Sequence, residues 1–206
     1  KKPFTFNLDG SGTEEDPYLI NDYQDYKEAT TKVKGLYYFL ITSDINFISK
    51  NFYELGTYKN QFDGHLNGNM HTLSNLNIKG RNNVGLSGYI NAGQIEGLNI
   101  NTAIVKGNDN VGTIAGYNDH IGMVQGININ NTTVVGNNTI GGIAGTNTND
   151  SVVNEVKITG NVTGYTQVGG GVGYSTTTNA KTTSILSNTN ITSTYPTSGS
   201  VGIGGI

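Results

Sequence analysis

The sequence predicts an all-β, right-handed parallel β-helix, a solenoid with coils of about 29 residues and an N-terminal cap that contains a short helix. Two repeats running in phase carry that prediction. The first is a hexapeptide in five copies: Leu73-Ser-Asn-Leu-Asn-Ile78, Ile95-Glu-Gly-Leu-Asn-Ile100, Val124-Gln-Gly-Ile-Asn-Ile129, Val153-Asn-Glu-Val-Lys-Ile158 and Leu186-Ser-Asn-Thr-Asn-Ile191. Its last residues advance by 22, 29, 29 and 33. The second begins at Val84, Val111, Ile140, Val168 and Val201 and closes on Gly88, Gly116, Gly145, Gly173 and Gly205, with steps of 28, 29, 28 and 32. A third, weaker element ends on Gly80, Gly107, Gly136, Gly164 and Gly199. Three short apolar stretches per period, each punctuated by Gly or Asn, describe a coil of three strands.

Within the hexapeptide, Leu76 and Ile78 alternate with Asn77 as strand side chains must. Leu73 to Leu76 is an odd step, so a corner falls at residues 74–75, and likewise at 96–97, 125–126, 154–155 and 187–188. The closing residues Ile78, Ile100, Ile129, Ile158 and Ile191 then form one internal stack. Successive coils place like residues about 4.8 Å apart, and the hand is that of nearly all parallel crossovers. Leucine-rich repeats are excluded, because they need their own consensus and the Gly, Asn and Thr content resists helix.

Residues 1–60 read differently and are assigned to the cap; the coils take 61–206. Asp9-Gly-Ser-Gly12 and Asp16-Pro17 mark turns. Asp22 caps a short helix to about Lys32, with Gly35 as its stop. Residues 36–41 form an apolar β run.

Composition excludes several classes. Only 34% of the 206 residues are hydrophobic, yet their periodic placement and the low charged fraction of 13% argue against disorder. A net charge of −3 without a basic stripe argues against nucleic acid. The absence of cysteine excludes a disulfide framework and thiolate zinc sites. No run approaches a membrane span, so membrane insertion is not expected. The last Val-Gly strand looks interrupted, so the chain reads as a fragment of a longer protein.

The motifs carry a resemblance. Val-Gly-Xaa-Ile-Ala-Gly, a Gly-containing loop and then Ile/Val-Xaa-Asn/Gly-Leu-Xaa-Ile resemble the GLUG repeat of bacterial surface proteins. Phe62-Asp-Gly-His-Leu-Asn-Gly-Asn-Met-His-Thr-Leu73 looks like that family's entry segment, and Gly12-Thr-Glu-Glu-Asp-Pro-Tyr-Leu-Ile20 like its lead-in. The resemblance implies a pectate-lyase-like β-helix. It also implies a place in adhesins, in wall-anchored proteins, or in IgA-specific metalloendopeptidases outside their catalytic domain.

Enzymes on such a scaffold need clustered acids. From Leu73 onward the coils hold Glu96, Asp109, Asp119, Asp150 and Glu155, read as solvated loop or corner groups, so no catalytic residue and no enzyme activity is expected. His65, His71 and His120 lack zinc-ligand spacing, and Asp9-Gly-Ser-Gly-Thr-Glu-Glu-Asp16 lacks the calcium-loop pattern, so neither metal nor cofactor is expected. Tyr195-Pro-Thr-Ser-Gly199 reads as a loop.

Two outward rows are the binding candidates. Tyr89, Tyr117 and Tyr174 follow the closing glycines, with Thr146 interrupting. Asn77, Asn99, Asn128, Lys157 and Asn190 face out beside the internal stack. Together they suggest a bacterial cell-surface adhesin region that contacts a host-surface or polysaccharide ligand by many weak contacts. The alternatives are a non-catalytic repeat region of a larger secreted enzyme, or a structural spacer. Thr132-Thr133 and Thr176-Thr178 are not in one register, so the flat threonine array of an ice-binding face is not expected.

Overall fold

The computed structural model describes residues 7–176 and 178–196 and the strand Ile203–Gly204. It is an all-β parallel solenoid with one short helix. Four long strands, Gln94–Lys106, Met123–Val135, Val152–Gly164 and Lys181–Ser193, begin 29 residues apart and pair in parallel, in sequence order. Their sheet also takes in Tyr18–Ile20, Tyr38–Ile41 and His65–Asn67, so it runs on through the predicted cap. A second sheet stacks Ser87–Asn91, Ala115–Asp119, Ala144–Asn147 and Val172–Ser175. A third stacks Asn82–Val84, Asp109–Val111, Asn138–Gly141, Thr166–Gly169 and Ile203–Gly204. These are the three strands per coil that the repeats required.

The core is a set of one-residue rows running through the coils. Ile95, Val124 and Val153 form one, Leu98, Ile127 and Val156 another, and all six are fully buried. Leu73, Ile100, Ile129 and Ile158 form a third. Thus the predicted isoleucine stack holds for its three central members. Its ends differ. Ile78 lies on Val105 rather than Ile100, because the turn after His65–Asn67 moves the first hexapeptide further along its coil. Ile191 lies on Val162, and Ser187 occupies the row of Ile158. The aberrant steps of 22 and 33 residues marked both displaced copies. The long strands depart from the 29-residue offset by only one residue, at an irregularity between Ile129 and Thr132, so a motif displaced further than that is carried out of line.

The corners follow the same rule. Gly97, Gly126, Glu155 and Ser184 share a left-handed conformation, with φ of 61°, 64°, 53° and 53°. The last corner is therefore at Ser184, not at 187–188. Asn75 belongs to a second left-handed row with Thr102 and Asn131. The closing glycines answer to a close approach. A Cβ on Gly145 would lie 2.5 Å from the Val111 nitrogen in the coil before, and one on Gly173 would lie 2.6 Å from the Ile140 nitrogen.

The cap helix spans Tyr23–Ala29, with Asp22 accepting from the Gln24 and Asp25 amides at 2.8 and 3.0 Å. It ends before Lys32 because Thr30 and Thr31 turn their hydroxyls onto the Lys27 and Glu28 carbonyls, both at 2.7 Å. The apolar run starts pairing only at Tyr38; Leu36 has φ 55° and is 67% exposed. Tyr26 is fully buried, edge-on to Phe47 at 5.1 Å, with its hydroxyl on the Tyr53 carbonyl at 2.9 Å. Among the described residues no helix is long and apolar enough to cross a membrane. The fifth copies of the two glycine elements, at 199–205, lie largely outside the described residues. Val168 and Gly169 pair with Ile203 and Gly204 rather than with the predicted Val201 and Gly202.

Candidate functional site

The tyrosine row forms in the predicted register: Tyr89 opposes Tyr117, Tyr117 opposes Thr146, and Thr146 opposes Tyr174. The first two rings stack 4.9 Å apart and 6° from parallel. Such a pair stabilises by roughly 0.5–1.5 kcal/mol beyond its buried area. Exposure is graded along the row. Tyr89 is buried beneath Tyr58, an exposed residue of the cap, whose ring meets it edge-on at 5.8 Å. Tyr117 is half-buried and Tyr174 is 43% exposed. Thr146 is buried and donates its hydroxyl to the Asn110 side-chain oxygen, Oδ1, at 2.8 Å. The reachable aromatic groups on this face are therefore Tyr117 and Tyr174, about 10 Å apart by strand spacing, and Tyr58. The sequence reading missed Tyr58, which lies before the first coil and outside every repeat.

Asp119 was expected to be a solvated loop acid. It is 4% exposed instead. Tyr89 donates its hydroxyl to it at 2.5 Å, Asn149 its amide at 2.7 Å and the His120 backbone its N–H at 2.9 Å. The His120 ring lies 2.9 Å from the same carboxylate. Burial alone would raise the Asp119 pKa, but the bonds from Tyr89 and Asn149 and the nearby His120 outweigh it and hold the group below the usual carboxylate range. Burial, with the Asp119 contact second, pushes the Tyr89 phenol well up. This end of the row is a closed hydrogen-bonded cluster, tied across coils 30 residues apart.

The asparagine row is only partly assembled. Asn128 donates to Asn99 at 2.9 Å, and Lys157 follows in register. Asn77 lies beside Ile104, and Asn190 donates to Asn161 at 3.1 Å. The two outlying asparagines left the row with the displaced hexapeptides. A different ladder was missed: Asn118 and Asn147 are fully buried, and Asn118 donates to Asn147 at 2.9 Å while also reaching the Gly122 and Val152 carbonyls. Their spacing of one period was its sequence signal.

The remaining charged groups are dispersed. Each histidine meets a separate carboxylate: His65 with Glu96 at 2.8 Å, His71 with Asp44 at 3.2 Å, and His120 with Asp119. Glu96 is thus engaged rather than simply solvated. Among the described residues no group of three His, Cys, Asp or Glu could hold a metal ion. In the Asp9–Asp16 loop the amides of Ser11, Gly12 and Thr13 converge on the Asp16 carbonyl.

Fold and rows together define a parallel β-solenoid with polar and aromatic ladders on its outer faces. The chain is 32% identical over 121 residues to halomucin of Haloquadratum walsbyi (strain DSM 16790 / HBSQ001), covering 52% of this chain and 1% of halomucin. It therefore spans about one hundredth of the length of that relative. A solved structure from Bacteroides ovatus, provisionally assigned as an immunoglobulin A1 protease, shares the fold with a TM-score of 0.61 and 16% identity over 88% of this chain and 69% of its own. No protein-family model matches the chain, so the GLUG resemblance stands on the motifs alone.

Proposed function

We propose that this chain is an extracellular repeat region of a large surface protein, and that it holds a glycan through Tyr117 and Tyr174. The observation that carries the reading is the stacked register of the tyrosine row, which sets accessible rings along one sheet in a fixed geometry. A ring face suits the apolar face of a sugar, and the tyrosine hydroxyls suit its hydroxyls. Weak contacts repeated on a rigid scaffold add through effective concentration. The similarity to halomucin supports an extracellular, surface-protein context. The reading is one of attachment without catalysis, since the coil acids with hydrogen-bonded side chains sit in separate contacts. The test is a glycan array probed with the wild type and with the double variant Tyr117→Ala/Tyr174→Ala. Binding by the wild type that falls about tenfold or more in a folded double variant supports the reading. Binding that survives the double substitution overturns it.

A second reading has its own support in the fold likeness to the Bacteroides ovatus protein: a non-catalytic stretch of a larger secreted enzyme. The full-length coding sequence separates the two, through a wall-sorting signal or a metalloprotease motif.

A further inference from the structure

A second constellation lies on a different sheet, at the junction of cap and coils. Tyr38, His65 and Gln94 are register partners on adjacent strands, and Glu96 projects two residues further along the last of them. His65 reaches Glu96 diagonally at 2.8 Å, and the Tyr38 ring leans on the His65 ring at 5.2 Å and 58°. Asn67 accepts the Asn69 N–H at 2.7 Å, which fixes its amide with the nitrogen left as donor. Glu14, in the turn before Tyr18, joins these groups in lining an open cleft of about 340 Å³.

We propose that this cleft, formed by Glu14, Tyr38, His65, Asn67 and Glu96, binds a single pyranose ring that carries no acidic group. Its volume is at the small end of ligand sites and fits one ring. Tyr38 supplies an aromatic face, and two carboxylates, an imidazole and an amide supply acceptors and donors for hydroxyls in fixed positions. The lining has two carboxylates and no lysine or arginine. An anionic sugar would therefore bring a third negative charge beside Glu14 and Glu96 with no lysine or arginine to meet it, which sets the specificity. The inference takes its ligand class from the proposed function but uses none of the same residues.

Chemical-shift mapping on the whole chain tests it, with the methyl glycosides of glucose, galactose, mannose and N-acetylglucosamine, and with glucuronic and N-acetylneuraminic acids as acidic comparators. At least one methyl glycoside should shift the Tyr38, His65 and Asn67 signals saturably in the millimolar range, and the two acids should not. Glu96→Gln should weaken that binding about tenfold, the loss of one charge-assisted hydrogen bond. Glu14→Gln, on an exposed turn, tests the same charge without touching the His65 pair and should weaken it by a smaller factor. Tyr117→Ala and Tyr174→Ala should leave it unchanged. The inference falls if no methyl glycoside shifts these signals, if the acids shift them equally, or if both glutamate variants bind as the wild type. Shifts confined to Tyr117 and Tyr174 would overturn it while leaving the proposed function standing.

Discussion

The first coils and the last long strand differ in what covers their rows. At the cap end the first coils are covered: Tyr26, Phe39 and Phe47 are buried, and Phe47 and Phe52 ring Tyr26 at 5.1 and 6.1 Å. Among the described residues the strand Lys181–Ser193 is the last in its sheet, and every side chain along it is half-buried or exposed. Val156 and Val162 are fully buried, whereas their register partners Ile185 and Ile191 are not. The chemistry of the rows changes little between these positions. A row residue is buried by the coil above as much as by the coil below, so an isoleucine at the edge contributes only part of what it would inside.

The sharpest way to break this comparison is to place a charge at two depths, in two adjacent inward rows of the same sheet. Ile129→Asp buries an unpaired carboxylate between Ile100 and Ile158 and should prevent folding, at a cost of several kcal/mol. Ile185→Asp should leave a folded protein destabilised by about 1 kcal/mol. Circular dichroism and chemical denaturation read both, and equal effects would abolish the distinction. Next in size, Tyr26→Ala should cost about 3–5 kcal/mol, because the cap loses a buried ring and its bond to Tyr53. A loss below about 1 kcal/mol would mean that the aromatic cluster does not seal the end.

Glu54, where the cap meets the coils, offers a smaller effect with a definite sign. Burial pushes its carboxyl up to about 7, and the hydrogen bond with Gly85 offsets only part of this. A raised carboxyl gives stability that is full below the ordinary glutamate range and is lost as pH rises to about 7. Glu54→Gln should remove that slope and gain about 1–2 kcal/mol at mildly alkaline pH, discounted for partial solvent exposure. Denaturant melts across pH check it, and an unchanged slope would exonerate Glu54. The smallest effect is expected on the strand Lys181–Ser193. Leu186 is 64% exposed on the Lys157 row, so Leu186→Thr should stay within about 0.5 kcal/mol of the wild type. A larger loss would show the leucine packed inward, as the hexapeptide motif first suggested.

Where the repeat kept its period of 28 or 29, the sequence placed the inward rows correctly. The row through Ile100, Ile129 and Ile158, the corners at Gly97, Gly126 and Glu155 and the tyrosine register were all legible. Where the step was 22 or 33, similarity of motif misled, since a hexapeptide can recur without occupying the same place on its coil. The same error misplaced Asn77 and Asn190. Asp119 and Asn118 were misjudged for another reason. Both sit in Asn- and Gly-rich stretches that look like loops, and their partners Tyr89, Asn147 and Asn149 lie a full coil away.

The sequence by itself determined the period, the strands per coil and the apolar side of each, because side-chain alternation and spacing are local properties of the chain. Only the tertiary structure decided which rings stay within reach of a ligand, which acid is buried, and that Glu14, Tyr38, His65, Asn67 and Glu96 share one cleft. Those outcomes depend on what the neighbouring coil and the cap lay over each residue. Parallel stacking brings together side chains about 30 positions apart or more, and no local pattern records such a meeting.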